Sequence, residues 1–163
     1  MIKLIIFDLD GVLVEAKTIH FDALNKALGP QYAIDWNEHL SVYDGLKTNQ
    51  KLDMLTDRKG LPKSEHKNVW EAKQKYTLEA LSKLQVDNVL IDTMSRLVND
   101  GYKLAVCSNS IRKTVLTVLA KLGIIEYMDL IISNEDVKNS KPHPEMYWKG
   151  ISMMGCLPEE SLI

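Results

Sequence analysis

The sequence has 163 residues, 20 Lys and Arg against 22 Asp and Glu, a formal net charge of -2 and 45% hydrophobic residues, the composition of one globular domain or of a core with a small insert. A balance this even leaves no basic surplus to neutralise a nucleic-acid backbone, and no apolar run reaches the roughly 18 residues of a membrane span, so neither partner is expected. Two cysteines, Cys107 and Cys156, make neither a disulfide framework nor a metal-ligand spacing, which suits a reducing compartment, the cytoplasm by default.

Residues Ile2 to Phe7 form an almost unbroken apolar run, the pattern of a strand buried on both faces of a parallel sheet. With one Lys and no small-residue cleavage site, this opening does not read as a signal peptide. From about Glu15 to Gln85 helical patterns replace buried strands. They are Ile19 to Leu28, stopped by Gly29-Pro30, then Thr48 to Lys59, stopped by Gly60, then a long helix from Pro62 to Leu84 with proline in its first turn. The tract Lys63 to Lys75 mixes both charge signs and reads as a solvated helix face.

Beyond it strands and helices alternate. Asp92 to Asp100 places Met94, Leu97 and Val98 on one face before Gly101, and Lys103 to Cys107 is a second buried strand. Thr114 to Leu122 carries Val115, Leu116, Val118, Leu119 and Leu122 ahead of Gly123, and Leu130 to Ile132 is a third strand. The expected fold class is α/β: a doubly wound, Rossmann-like parallel sheet core from residues 1–14 and 86–163, with right-handed crossovers and an inserted α-helical subdomain at 15–85.

Three short segments carry chemistry. Asp8-Leu9-Asp10-Gly11-Val12 follows the first strand, where an open α/β sheet has its functional crevice, and carboxylates at i and i+2 of extended chain point to the same side. Their mutual repulsion is relieved by a hard divalent cation bound through oxygen, and Gly11 permits the tight turn away from the strand. The plain alternative is a strand-end turn with two solvated acids. Ser108-Asn109-Ser110 ends the second strand just before a helix, where a hydroxyl and free N–H groups can hold phosphate oxygens, or where a serine simply caps the helix. Lys141-Pro142-His143-Pro144-Glu145 follows the third strand and offers a fixed point charge, or a surface lysine in a rigid turn.

An acid pair, a hydroxyl and a lysine at three successive strand ends converge on one place. In this order DLDGV, SNS and SKPHPE resemble the first three motifs of the haloacid dehalogenase-like hydrolase superfamily, and the helical insert falls where that family's cap domain sits. His20-Phe21-Asp22-Ala23-Leu24, Tyr43-Asp44-Gly45 and Asn139-Ser140-Lys141-Pro142 are most similar to the branch that contains β-phosphoglucomutase and small-molecule phosphatases. The resemblance implies a nucleophile at Asp8, a general acid and base at Asp10, and Mg2+ held by the Asp8 carboxylate and the Asp10 backbone carbonyl. It further implies that Ser108 and the Asn109 backbone hold phosphoryl oxygens, and that Lys141 stabilises the nucleophile and the equatorial charge. His20 resembles a cap-hinge residue, and Gly45, Lys47 and Thr48 a specificity loop.

The implied function is removal of phosphate from a small phosphorylated metabolite. The alternatives are a sugar phosphomutase, which returns the group to substrate, and a non-catalytic domain that keeps the fold. The family's fourth motif, an acidic pair after a further strand, is not found by Pro158 to Ile163, which reads as the start of that strand. With no later strands the first strand is expected to have an exposed apolar edge and to self-associate through it, and Mg2+ affinity and turnover are expected to be depressed. Glu135-Asp136 is acidic but out of order, a weak candidate for a substitute metal site. His39, His66 and His143 read as surface or turn residues, Cys107 as a buried small side chain, and Trp36, Trp70 and Trp148 as packing anchors.

Overall fold

Four strands, β1 (Leu4–Phe7), β2 (Lys103–Cys107), β3 (Leu130–Ile132) and β4 (Ser161–Leu162), form one parallel sheet in the order β3-β2-β1-β4. They belong to a computed structural model that describes residues 1–163. The register sets Phe7 beside Val106 and Cys107 beside Ile132, so the segments that follow β1, β2 and β3 leave the sheet at the same end. Leu4, Ile6, Ala105 and Cys107 alternate onto one face, where Ile132 and the helix Glu145–Met153 cover them through Met146 and Ile151. Leu104 and Val106 are also fully buried, so β2 is enclosed on both faces, whereas Ile5 and Phe7 of β1 remain half-buried.

Contacts divide the chain into two compact units: Met1–Glu15 with Ser82–Ile163, and Ala16–Leu81. The second is entirely helical. It contains α1 (Lys17–Leu28), α2 (Trp36–Glu38), α3 (Thr48–Lys59) and α4 (His66–Leu81), with α1 packed along α4. Its core gathers Leu24, Leu28, Tyr43, Leu52, Leu55 and Val69, and the Asn25 carboxamide ties the α1–α2 connection by bonding Ile34 N and Ile34 O, each at 2.9 Å. The first unit carries α5 (Asn88–Asn99), α6 (Arg112–Leu122) and α7 (Glu145–Met153) around the sheet. No helix is long and apolar enough to cross a membrane.

Several expectations need correction. β1 is not an edge: Leu4 and Ile5 pair with Ser161 and Leu162, so the unpaired first strand on which self-association rested does not exist, and the sheet's edges are β3 and β4. The helix expected from Pro62 to Leu84 begins with a 3-10 turn at Lys63–Glu65 and ends at Leu81. Its charged tract is not wholly solvated, because Val69, Lys73 and Thr77 lie at i, i+4 and i+8 on a buried face. His39 is no surface residue. It lies in a π-helical turn, His39–Tyr43, is buried to 1% exposure, and stacks on Trp36 with Phe21 edge-on. Burial first, then the nearby charge of Lys51, lowers its pKa and keeps the ring neutral. Trp148 is more than half exposed, whereas Trp36, though partly exposed, packs against Phe21 and His39, and Trp70 packs on the helical core.

Helix α7 was not apparent in the sequence, partly because Gly150 lies within it. Its Cα faces the sheet, and a methyl group there would meet Ile132 Cδ1, Ile6 Cδ1 and Cys107 Sγ at 3.5, 3.6 and 3.7 Å, ordinary contact distances. Gly150→Ala should therefore stabilise the chain by up to about 1 kcal/mol through reduced backbone entropy and gained contact, read from urea unfolding. Gly150→Leu should destabilise it, since no space remains for the longer side chain.

Candidate active site

Asp8 directly follows β1, and the chain then closes a tight turn. Gly11 N donates to Val14 O at 2.8 Å, while Leu13 N and Val14 N donate to Leu9 O at 3.0 and 3.1 Å. Gly11 has φ 85, in the left-handed region that a Cβ disfavours, so glycine is what lets the chain reverse here. Leu9 is fully buried between the half-buried Asp8 and Asp10, which leaves both carboxylates on the open side of the strand end.

Lys141 comes to this acid pair from the loop after β3. Its Nζ lies 2.7 Å from Asp8 Oδ1 and donates to Cys107 O at 2.9 Å, with the Tyr147 ring centroid 5.7 Å away. The lysine side chain is 15% exposed and that of Asp8 41%, so the ion pair has its cation inside and its anion facing solvent. Glu145 shapes the loop by accepting from Lys138 N at 2.7 Å and from Asn139 N at 2.9 Å, and these bonds hold its carboxyl below the usual range. The third motif thus supplies both the lysine and the acid that folds its loop.

Ser108 is fully buried at the end of β2. Its N–H continues the ladder to Ile132 O at 3.0 Å, and its hydroxyl accepts from Ser110 N at 3.0 Å. That bond leaves the hydroxyl proton available to a ligand oxygen. Asn109 extends its carboxamide to the Lys141 backbone, and Ser110 Oγ donates to Asp10 Oδ2 at 3.1 Å. Ser110 and Tyr147 were not singled out in the sequence as contacts of Asp10 and Lys141. Nothing in a linear pattern says which hydroxyl of SNS meets which acid.

The remaining candidates lie in the helical unit. His20 is on α1, Gly45 precedes α3 in the left-handed region, Lys47 caps α3 with its N–H donating to Gln50 Oε1 at 3.1 Å, and Thr48 opens that helix. Thr48 Oγ1 lies 3.4 Å from Gln74 Nε2 of α4, and His20 Nδ1 lies 3.3 Å from Lys73 Nζ. Sequence reading missed Lys73 by placing it on a solvated face. The four-residue spacing from Val69 through Lys73 to Thr77 was the available signal.

The acidic pair Glu135-Asp136 is committed to structure. Asp136 takes Arg112 Nη2 at 2.7 Å on both oxygens and Ser133 N and Oγ at 2.7 Å, while Glu135 accepts from Arg112 N at 3.4 Å. Burial, the largest single influence on Asp136, raises its pKa, but the Arg112 and Ser133 hydrogen bonds together overcome it and hold the carboxyl at about 2 against an ordinary 3.8. The folded state therefore binds this proton less readily than the unfolded state. The associated stability is complete above about pH 4 and disappears as the pH falls toward 2. Asp136→Asn should lose about 1–2 kcal/mol at pH 7 and much less at pH 2, a convergence that urea unfolding at the two pH values will reveal. Burial drives the Cys107 thiol up to about 12, which makes it inert.

No three His, Cys, Asp or Glu side chains are grouped to hold a metal ion. What the site offers is oxygen only, two neighbouring carboxylates and backbone carbonyls. That sparse donor set suits Mg2+, which binds through one or two carboxylates and otherwise takes water and substrate phosphate, and it does not suit Zn2+.

The chain resembles known proteins over nearly its whole length. The chain is 23% identical over 172 residues to the pyrophosphatase PpaX of Bacillus cereus (strain B4264), an alignment covering 99% of this chain and 73% of that protein. It is 23% identical over 168 residues to the phosphorylated carbohydrates phosphatase of Thermotoga maritima, covering 98% and 74% of the two. Among solved structures, a β-phosphoglucomutase from Clostridium difficile superimposes with a TM-score of 0.85 at 25% identity, over 99% of this chain and 74% of that one. The haloacid dehalogenase-like hydrolase profile matches residues 5–163, and the chain belongs to that family.

Proposed function

We propose that the chain is a phosphomonoester hydrolase of small phosphorylated metabolites that works through an aspartyl-phosphate on Asp8. The observation that carries this reading is the 2.7 Å contact between Lys141 Nζ and Asp8 Oδ1, which sets an oriented carboxylate beside a cation at the meeting point of three strand ends. In this reading an Asp8 oxygen attacks phosphorus and the bond to the leaving oxygen breaks. Asp10 donates a proton to that oxygen, then takes one from the water that hydrolyses the acyl phosphate. Lys141, the Ser108 hydroxyl and the Asn109 N–H hold the phosphoryl oxygens as their charge redistributes. The Asp8 carboxylate and the Asp10 backbone carbonyl would hold Mg2+, whose chemistry when bound is to neutralise charge on the transferring group.

The phosphatase names of the curated relatives support hydrolysis, and the helical unit is read as the cap that selects the substrate. A second reading, sugar phosphomutase, draws on the likeness to a β-phosphoglucomutase. The two share their first half-reaction. The test is Mg2+-dependent phosphate release from a panel of sugar phosphates, nucleotides, pyrophosphate and a chromogenic phosphomonoester, with product analysis on a hexose 1-phosphate. Release of inorganic phosphate supports the hydrolase, and isomerised hexose phosphate without release supports the mutase. Neither product would leave a non-catalytic domain.

A further inference from the structure

We infer that the Asn109 side chain is a positioning residue that sets Lys141 against Asp8, an inference that rests on the phosphoryl-transfer reading of this site. The Asn109 carboxamide makes both of its characteristic hydrogen bonds to one residue: Oδ1 accepts from Lys141 N at 3.0 Å and Nδ2 donates to Lys141 O at 3.1 Å. This two-point clamp copies a strand partner, and it fixes the position and the rotation of the backbone from which the lysine side chain departs. At the far end of that side chain Nζ is held by Cys107 O and Asp8 Oδ1. A flexible four-carbon stem is thereby secured at root and tip, which reduces the conformational freedom that otherwise blurs the position of a lysine charge.

The clamp is itself anchored. Asn134 Nδ2 donates to Asn109 O at 2.8 Å and Asn134 N to Ser110 O at 3.2 Å, while the Ser108 N–H is bonded into the sheet. Rigid sheet, Asn109, Lys141 and Asp8 form one continuous series of contacts. An ordinary capping role does not account for Asn109, since the residue preceding α6 is Ile111 and the helix has no side-chain cap. Its carboxamide is instead directed across to the Lys141 loop.

The test uses the full chain with Asn109→Ala, Asn109→Asp, Lys141→Ala and the Asn109→Ala/Lys141→Ala double variant. In phosphate release Asn109→Ala should lower kcat about tenfold to a hundredfold with KM changed less than about threefold, the cost of misplacing a charge by a fraction of an ångström or more. In the Lys141→Ala background the same change should cost less than about twofold, because there is no ammonium left to position. Multiplying effects would overturn the inference. A readout independent of turnover is the rate at which an amine-acylating reagent labels Lys141, followed by peptide mass spectrometry against the exposed Lys75 as internal reference. Labelling of Lys141 should rise severalfold in Asn109→Ala, and an unchanged rate would overturn the inference even if the wild-type chain releases no phosphate, a result that counts against the functional reading instead. If Asn109→Ala does not fold, Asn109→Asp, nearly the same shape but with an anionic oxygen in place of the donor to Lys141 O, breaks the same bond and decides by the same labelling.

Discussion

Asp8→Asn is expected to abolish Mg2+-dependent phosphate release, with a loss of at least about 10^4-fold in kcat, while the protein stays folded. The amide matches the carboxylate in shape and can still accept from Leu9 N and from the Lys141 ammonium, whose bond to Cys107 O is untouched. What it lacks is the anionic oxygen that forms the acyl phosphate. It also relieves the repulsion between Asp8 and Asp10, so thermal unfolding should move little. Steady-state release and a melting curve on the same preparation separate the two effects. Activity within tenfold of wild type would show that the nucleophile is elsewhere.

Lys141→Ala should cost about 10^2 to 10^3-fold in kcat, the scale of removing one preorganised electrostatic contact to a transferring group. Because Asp8 is 41% exposed, water can replace its lost partner, so the fold should tolerate the change better than the chemistry does. Lys141→Arg should not restore activity. The site between Cys107 O and Asp8 Oδ1 accommodates a compact ammonium, and a planar guanidinium presents its donors in a different geometry. Recovery of full rate with arginine would mean that only net charge matters there.

What was legible in the sequence follows from how burial is encoded. β2 and β3 stand where the apolar runs placed them, and α3 occupies Thr48–Lys59 as expected, because an enclosed strand must be apolar throughout and glycine ends a helix visibly. α5 begins at Asn88, earlier than expected, because its signal is the Asp87 carboxylate bonding Val89 N and Leu90 N and not the onset of a periodic face. α7 gives a weak signal because it is short and Gly150 interrupts the sheet-facing stripe that Met146 and Ile151 begin and end. His39 was misread because a single histidine has no period, and only the fold reveals that Trp36 and Phe21 enclose it.

The residues proposed for the site divide in the same way. That Asp8, Asp10 and Ser108 stand at strand ends, and Lys141 in the loop after β3, could be read from the runs before them. Their partners could not. That Ser110 meets Asp10, that Asn109 holds the backbone of Lys141 and that Cys107 contributes its carbonyl all depend on the register of β1, β2 and β3 and on the path of the loop that Glu145 folds. Asp136 is the converse case. In the sequence it is a weak candidate for a substitute metal site, and its Arg112 and Ser133 partners make it a structural residue.

The central claim is a covalent phosphoryl group on Asp8, and the most direct measurement is to trap it. The chain would be mixed with Mg2+ and the best substrate of the panel, quenched in acid during turnover, and mapped by peptide mass spectrometry beside Asp8→Asn. The account predicts one phosphoryl group on the peptide containing Asp8, removed by hydroxylamine and absent from the variant. Turnover with no acyl phosphate, or with the group on another residue, would contradict it.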